Sequence, residues 1–252
     1  MFSLDNKVAL VVGGTSGIGK EISLGFAEAG ATVIPVSRNI EKVNKTVEEI
    51  NNKRKSKSIG FALDARDVED FREMLKKIIS VYDKIDILVN AQGITSTHKP
   101  AEDFGEEEFD SVISTNLKSV FLCCIEVGKY MLKNRKGSII NIASTAAFRG
   151  WSFNVIYSMS KWGVVSLTQT LASEWSSRGV RVNGICPGLF STEMNEKMKP
   201  ERKEAMLQRT PMKRLGKLPE LLGATILLAS DASSYITGET IRVDGGYLAI
   251  GI

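Results

Sequence analysis

One histidine, His98, is all the imidazole this chain has, and that scarcity excludes whole classes of chemistry. A histidine-rich zinc site cannot be assembled from it, and a histidine-assisted nucleophile would have to rest on that single residue. No Gly-x-Ser-x-Gly element occurs either. Cysteine is also sparse. Cys123, Cys124 and Cys186 include no Cys-x-x-Cys pair, and an odd count argues for reduced thiols in a reducing, cytoplasmic compartment. No unbroken apolar run approaches the ~18–20 residues of a membrane span. Asp5 and Lys7 precede the first apolar stretch, so no secretory signal is readable. Charge of one sign is missing too: 33 basic against 29 acidic residues leave +4, too mild to suggest nucleic acid. The expectation is a cytoplasmic protein without metal, membrane or nucleic-acid partners, acting on a small molecule.

With 43% hydrophobic and 25% charged residues, the 252-residue chain has ample material for a core. Strand-like stretches fall at 8–12, 31–36, 58–62, 85–89, 138–142, 180–186 and 240–243. Helix-like stretches fall at about 18–29, 39–52, 67–82, 106–135, 155–177 and 218–229. This alternation reads as an α/β fold, a doubly wound parallel seven-stranded sheet with helices on both faces. The strands are almost solidly apolar, as burial of both faces requires. No linker splits the chain, so residues 1–252 are expected to form one domain. Residues 187–216 break the alternation and read as an insertion covering the strand ends, a substrate lid.

Strand 8–12 runs into Gly13-Gly14-Thr15-Ser16-Gly17-Ile18-Gly19-Lys20 and then into a helix. Glycines at 13, 17 and 19 let the backbone approach a pyrophosphate at a helix N-terminus. Gly14 to Lys20 also matches the opening of a nucleotide-triphosphate loop. Glu21 then stands where that loop needs Ser or Thr for magnesium, so the alternative is rejected. At the end of the second strand stands Ser37-Arg38-Asn39, with no acid to bind both ribose hydroxyls. Arg38 can instead pair bidentately with a 2′-phosphate and Ser37 can donate to it, which favours NADP.

Tyr157 and Lys161 stand four apart on a helix-like stretch and share one face. Ser144 lies thirteen residues before Tyr157, just past strand 138–142, at the sheet edge where ligands bind. Reduction of a ketone needs a proton donor at the nascent alkoxide. Free tyrosine titrates near 10, and moving it by about three units takes roughly 4 kcal/mol, the scale of one ammonium about 4 Å away. The expectation is therefore that Lys161 lowers Tyr157, while Ser144 orients the carbonyl oxygen and the cofactor carries the hydride.

These residues resemble the short-chain dehydrogenase/reductase family, a Rossmann-type fold, over nearly the whole chain. Its glycine motif matches residues 12–19, with Val12 in place of threonine. Its Asn-Asn-Ala-Gly element matches Asn90-Ala91-Gln92-Gly93, departing at Ala91 and Gln92. The resemblance implies a catalytic set of Asn116, Ser144, Tyr157 and Lys161. It implies cofactor contacts from Gly13, Thr15, Ser16, Gly17, Ile18, Gly19, Ser37, Arg38, Asn39, Asp64, Asn90, Ala91, Gly93, Tyr157, Lys161, Pro187, Gly188 and Thr192. In the family, Asp64 would lie beside the adenine, Asn116 would hold a helix open, and Pro187-Gly188 with Thr192 would meet the carboxamide.

For the substrate, Leu171-Ala172-Ser173-Glu174-Trp175 and the closing Val243-Asp244-Gly245-Gly246-Tyr247 are similar to gluconate-type members, which implies a sugar acid or polyol. The alternative is a 3-oxoacyl-[acyl-carrier-protein] reductase, since Arg135 and Arg178 match positions that dock the acidic carrier protein, beside a basic stretch at 197–217. A non-catalytic NADP-binding sensor is a third reading, at odds with the retained Tyr157 and Lys161. By family analogy helices 106–135 and 155–177 pair across two-fold axes in a homotetramer.

Overall fold

Alternation within the first strand fixes how the layers stack. In β1 (Val8–Val12), Val8, Leu10 and Val12 enter one buried cluster while Ala9 and Val11 enter another on the opposite face. The computed structural model describes residues 2–53, 58–192 and 198–249. Seven parallel strands form one sheet in the order β3-β2-β1-β4-β5-β6-β7. The others are β2 (Thr32–Ser37), β3 (Phe61–Ala62), β4 (Ile87–Asn90), β5 (Gly137–Ile142), β6 (Val180–Pro187) and β7 (Thr240–Val243). The expected doubly wound sheet is present. The order reverses between β1 and β4, and their carboxyl ends open the crevice where ligands bind in such sheets.

One face is covered by α3 (Val68–Tyr82), α5 (Ser119–Lys133) and α6 (Val155–Trp175), which contribute Phe71, Met74, Val127, Met131, Val164 and Trp175 to its core. The other is covered by α1 (Gly17–Glu28), α2 (Ile40–Lys53) and α8 (Leu222–Ala229), through Ile22, Phe26, Ile50 and Leu228. Above the strand ends lies α7 (Pro200–Gln208), inside the expected lid, of which residues 193–197 lie outside the described residues.

Three expected elements differ. The strand at 58–62 shrinks to Phe61–Ala62 because Ser58 is tied by side chains: its amide donates to Asn51 Oδ1 at 3.1 Å and its hydroxyl accepts from the Val33 amide at 3.2 Å. The helix at 155–177 stops at Trp175 in a 3-10 turn, Ser176–Arg178, closed by Gly179 at φ +83°. The helix at 106–135 is broken. α4 (Glu106–Ile113) passes through a π-helical turn, Ser114–Lys118, into α5. Such turns mark functional positions, and this one carries Asn116. Taken together, Glu106–Lys133 is long and apolar enough to cross a membrane by length and composition, contrary to the count of unbroken runs. Its Val120, Cys123, Cys124, Val127 and Met131 are buried in the core of this fold.

Candidate active site

A cavity of about 1070 Å³ opens at the carboxyl edge of the sheet, large enough for a dinucleotide and a small second molecule. Its floor is the β1–α1 loop. Gly13 and Gly17 have φ of +76° and +48°, in the left-handed region that glycine tolerates. A Cβ on Gly19 would lie 2.1 Å from the Gly13 carbonyl oxygen, so a side chain there is sterically barred. Ser16 opens α1 without a side-chain cap, and the first turn has no acid, which leaves the helix N-terminus suited to an anion. The loop is thus a cradle that fits a pyrophosphate, and Ser16, Gly17, Ile18 and Gly19 line it.

Ser37 and Arg38 line the next corner, with Arg38 exposed at its rim. Asp64 and Arg66 line it too, paired at 2.6 Å, and the Arg66 guanidinium holds the Asp64 carboxyl below the usual carboxylate range. Ala91, Gly93, Pro187, Gly188 and Thr192 complete the walls among the expected cofactor residues. Three expected contacts stand back from the cavity for visible reasons. Thr15 is buried and donates its hydroxyl to Ser37 Oγ at 2.8 Å, bracing the loop from behind. Asn39 points along α2 and accepts from the Lys42 amide at 2.8 Å. Asn90 is turned into the core, where its amide donates to Asn141 Oδ1 at 2.8 Å.

On the opposite wall, β5 ends at Ile142 and the chain turns through Ser144, which caps a 3-10 turn, Thr145–Ala147. The first turn of α6 delivers Tyr157, and the next delivers Lys161 on the same face. Ser144 is hydrogen-bonded to the Tyr157 side chain, so the two hydroxyls meet. Lys161 is 4% exposed, donates from Nζ to the Ile142 carbonyl at 2.9 Å, and lies 5.9 Å from the Tyr157 ring centre. All three line the cavity. Asn116 does not reach it. Fully buried, it accepts from the Ile94 amide at 2.8 Å and donates to the Ile94 carbonyl at 2.9 Å and to Ser160 Oγ at 3.1 Å. It ties the π-helical turn to the Gly93–Ile94 wall and to α6, a positioning role.

The electrostatics correct one expectation. Tyr157 is not lowered by the groups of the chain itself. Burial raises it above its ordinary value, and the Ser144 hydrogen bond opposes that without reversing it. Burial acts on Lys161 in the opposite chemical sense, lowering its ammonium to about 8. Desolvation penalises the charged form of each group and is the largest influence on both.

Ser96, Trp151 and Asn154, which line the cavity, escaped the sequence reading, and Lys199 and Arg202 line it too, where that reading had them only as part of a basic stretch that could meet an acidic partner. His98, given no role, lines it as well. They come from loops and from α7, whose positions carry no local pattern. Among the described residues no cluster of His, Cys, Asp or Glu could hold a metal.

The family model described as enoyl-(acyl carrier protein) reductase, of the short-chain dehydrogenase/reductase group, matches residues 12–248. The chain is a short-chain dehydrogenase/reductase. It is 40% identical over 243 residues to a 3-oxoacyl-[acyl-carrier-protein] reductase of Thermotoga maritima, covering 96% of this chain and 98% of that one. It is 39% identical over 249 residues to a 2-dehydro-3-deoxy-D-gluconate 5-dehydrogenase of Pseudoalteromonas atlantica, covering 98% of each. A crystal structure of a gluconate 5-dehydrogenase from Burkholderia cenocepacia in complex with NADP and tartrate superposes with a TM-score of 0.94 at 31% identity, over 99% of this chain and 98% of that one. This short-chain dehydrogenase/reductase is accordingly an oxidoreductase of CH–OH and C=O groups that uses a nicotinamide dinucleotide.

Proposed function

We propose that the enzyme interconverts a ketone and a secondary alcohol with NADP(H), on a sugar acid or polyol, using Tyr157 as proton donor and acceptor. The observation that carries this reading is the convergence of Tyr157, Ser144 and Lys161 on one wall of the cavity whose floor is the glycine cradle. When bound, the nicotinamide supplies or accepts the hydride. Tyr157, kept neutral by burial, holds the proton that the carbonyl oxygen needs as it becomes an alkoxide. Ser144, already bonded to that phenol, donates to the same oxygen and orients it. Lys161, its ammonium fixed by the Ile142 carbonyl, stabilises the phenolate left behind; at about 6 Å and an effective dielectric near 20 this amounts to about 3 kcal/mol. Oxidation of the alcohol runs the same proton path backwards. Asn116 keeps the Gly93–Ile94 wall and α6 at their spacing through its bonds to the Ile94 carbonyl and Ser160 Oγ.

NADP is favoured over NAD by Arg38 at the rim, with the neighbouring acid, Asp64, already paired to Arg66. The segment 187–216 serves as the lid. The free, buried Cys123, Cys124 and Cys186 suit a reducing cytoplasm. Phe121, Met159 and Trp162, 45%, 50% and 58% exposed on α5 and α6, form an apolar surface suited to pairing copies into a homotetramer.

Reduction of 3-oxoacyl groups on an acyl carrier protein is the second reading, favoured by the identity to the Thermotoga enzyme. Arg135 and Arg178 precede β5 and β6, at the sheet edge opposite the cavity, and the Arg135 guanidinium bonds the Ser177 carbonyl at 3.2 Å. Within one chain they are therefore remote from the reacting groups, which leaves them to a neighbouring subunit's entrance or to structure. One assay separates the readings: NADPH oxidation with keto sugar acids, ketoses and acetoacetyl thioesters in parallel, for the wild type and Tyr157→Phe. Turnover of the sugar-derived ketones, cut about 10²–10⁴-fold by the substitution with NADPH binding intact, supports the proposal. Preference for the thioester transfers it to the second reading, and an active Tyr157→Phe enzyme removes the proton role.

A further inference from the structure

The part of the cavity lined by α7 carries a guanidinium, Arg202, that among the described residues has no ion-pair partner. Arg202, on α7, is half-buried, with its guanidinium 5.8 Å from the centre of the Trp151 ring. At that distance the contact is a cation–π one, and Arg202 also lines the cavity. Trp151 is braced in turn by Tyr247, edge to face at 6.5 Å. The Trp151 Nε1–H is itself buried and among the described residues has no hydrogen-bond partner. Lys199 and His98 line the same part. Glu201, exposed like Lys199 and His98, lines it too, and among the described residues no carboxylate forms an ion pair with Arg202 or Lys199.

A partly desolvated guanidinium without an anion, beside a buried unpaired N–H, is costly on its own. The cost is relieved when a ligand brings an acceptor carrying negative charge. Burial lowers Arg202 from its ordinary value, and Arg202 and Lys199 add to burial in lowering His98, as expected where positive charge is uncompensated. A planar carboxylate suits the fork of Arg202. We infer that Arg202, set against the Trp151 ring, receives a carboxylate of the substrate, so that the enzyme takes hydroxy- and keto-acid anions of sugars in preference to neutral polyols. This rests on the dehydrogenase reading of the cavity and narrows it. Selectivity comes from position. The carboxylate is anchored at the far end, and the carbon to be oxidised or reduced is left beside Tyr157.

The test compares D-gluconate with D-sorbitol, which differ only in the carboxylate at C1, by calorimetric titration of the NADPH-saturated protein, in which neither alcohol can be oxidised. Gluconate is expected to bind the wild type at least ten-fold more tightly. Arg202→Leu should weaken gluconate by about ten- to a hundred-fold, the scale of a charge-assisted bidentate contact, and leave sorbitol and NADPH unchanged. Arg202→Lys should fall between, and Trp151→Ala, which removes the ring set against Arg202, should weaken gluconate and leave sorbitol unchanged. Equal affinity of the wild type for acid and polyol, or an equal loss of both on Arg202→Leu with NADPH binding preserved, overturns the inference. Gluconate discrimination without turnover of any ketone would refute the dehydrogenase reading and leave the anion site standing. Turnover of neutral ketones with no preference for their acids would do the reverse.

Discussion

Lys161 is the residue whose energetic cost is most directly measurable. Its ammonium is 4% exposed and has one hydrogen bond, to the Ile142 carbonyl at 2.9 Å. Burial lowers it from 10.5 to about 8. At neutral pH the folded protein therefore holds a charge it would more readily carry unfolded, at a cost of about 3 kcal/mol for a displacement of this size. Lys161→Met keeps most of the stem and removes the charge. The lost bond to Ile142 returns about 1 kcal/mol of destabilisation, so the variant is expected to be more stable than the wild type at pH 7 by about 2 kcal/mol. It should also be nearly inactive, which makes this a trade of stability for function.

The pH dependence is what identifies the cause. Between about 8 and 10.5 the unfolded wild type holds a proton on this lysine that the folded form has lost. The unfolded state then binds more protons, so wild-type stability gains from this group as pH rises through the window, while the variant has nothing to titrate there. Its advantage should shrink by about 2 kcal/mol between pH 7 and 9.5 and reverse near the top of the window. Urea denaturation of both proteins at the two pH values, at one protein concentration and without dinucleotide, reads this directly. An advantage that does not change with pH, or a variant less stable than wild type at pH 7, would refute the claim that a desolvated ammonium is maintained at this site.

Two further outcomes follow from exposed residues. Arg38→Asp should raise the KM for NADPH by about ten-fold or more and improve use of NADH, because a guanidinium fork is exchanged for an acid that accepts from ribose hydroxyls; an unchanged cofactor ratio in steady-state kinetics would remove the NADP assignment. Trp162→Glu, placing charge on a side chain 58% exposed on α6, should reduce the particle mass seen by light scattering, and retention of the wild-type mass would argue that this face is not the interface.

The division between what the sequence revealed and what it withheld follows the range of the interactions. The sheet and its glycine cradle were legible because both depend on local rules: short apolar, β-branched runs alternating with amphipathic stretches along the chain, and φ values of +76° and +48° that only a glycine meets easily at 13 and 17. The four-residue spacing put Tyr157 and Lys161 on one face for the same reason. Their charges are another matter. Spacing says that an ammonium lies near a phenol, and it says nothing of how much water either has lost, so the sign of the Tyr157 displacement went the wrong way. The broken helix at Ser114–Lys118 was hidden because 106–135 is continuous in hydropathy. What opens the turn is the bond from the Asn116 amide to the Ile94 carbonyl, 22 residues away in the chain. Arg202 was hidden most completely. In the sequence it is one of many charges in an irregular segment, indistinguishable from a solvated residue. Only the packing of α7 over the strand ends brings it to Trp151, 51 positions earlier, and turns a surface cation into one that wants an anion. Chemistry common to a family lies in short, regular spacings, whereas the recognition that separates one member's substrate from another's lies in contacts between irregular segments, which is why Arg202 and Trp151 had to be found in the fold.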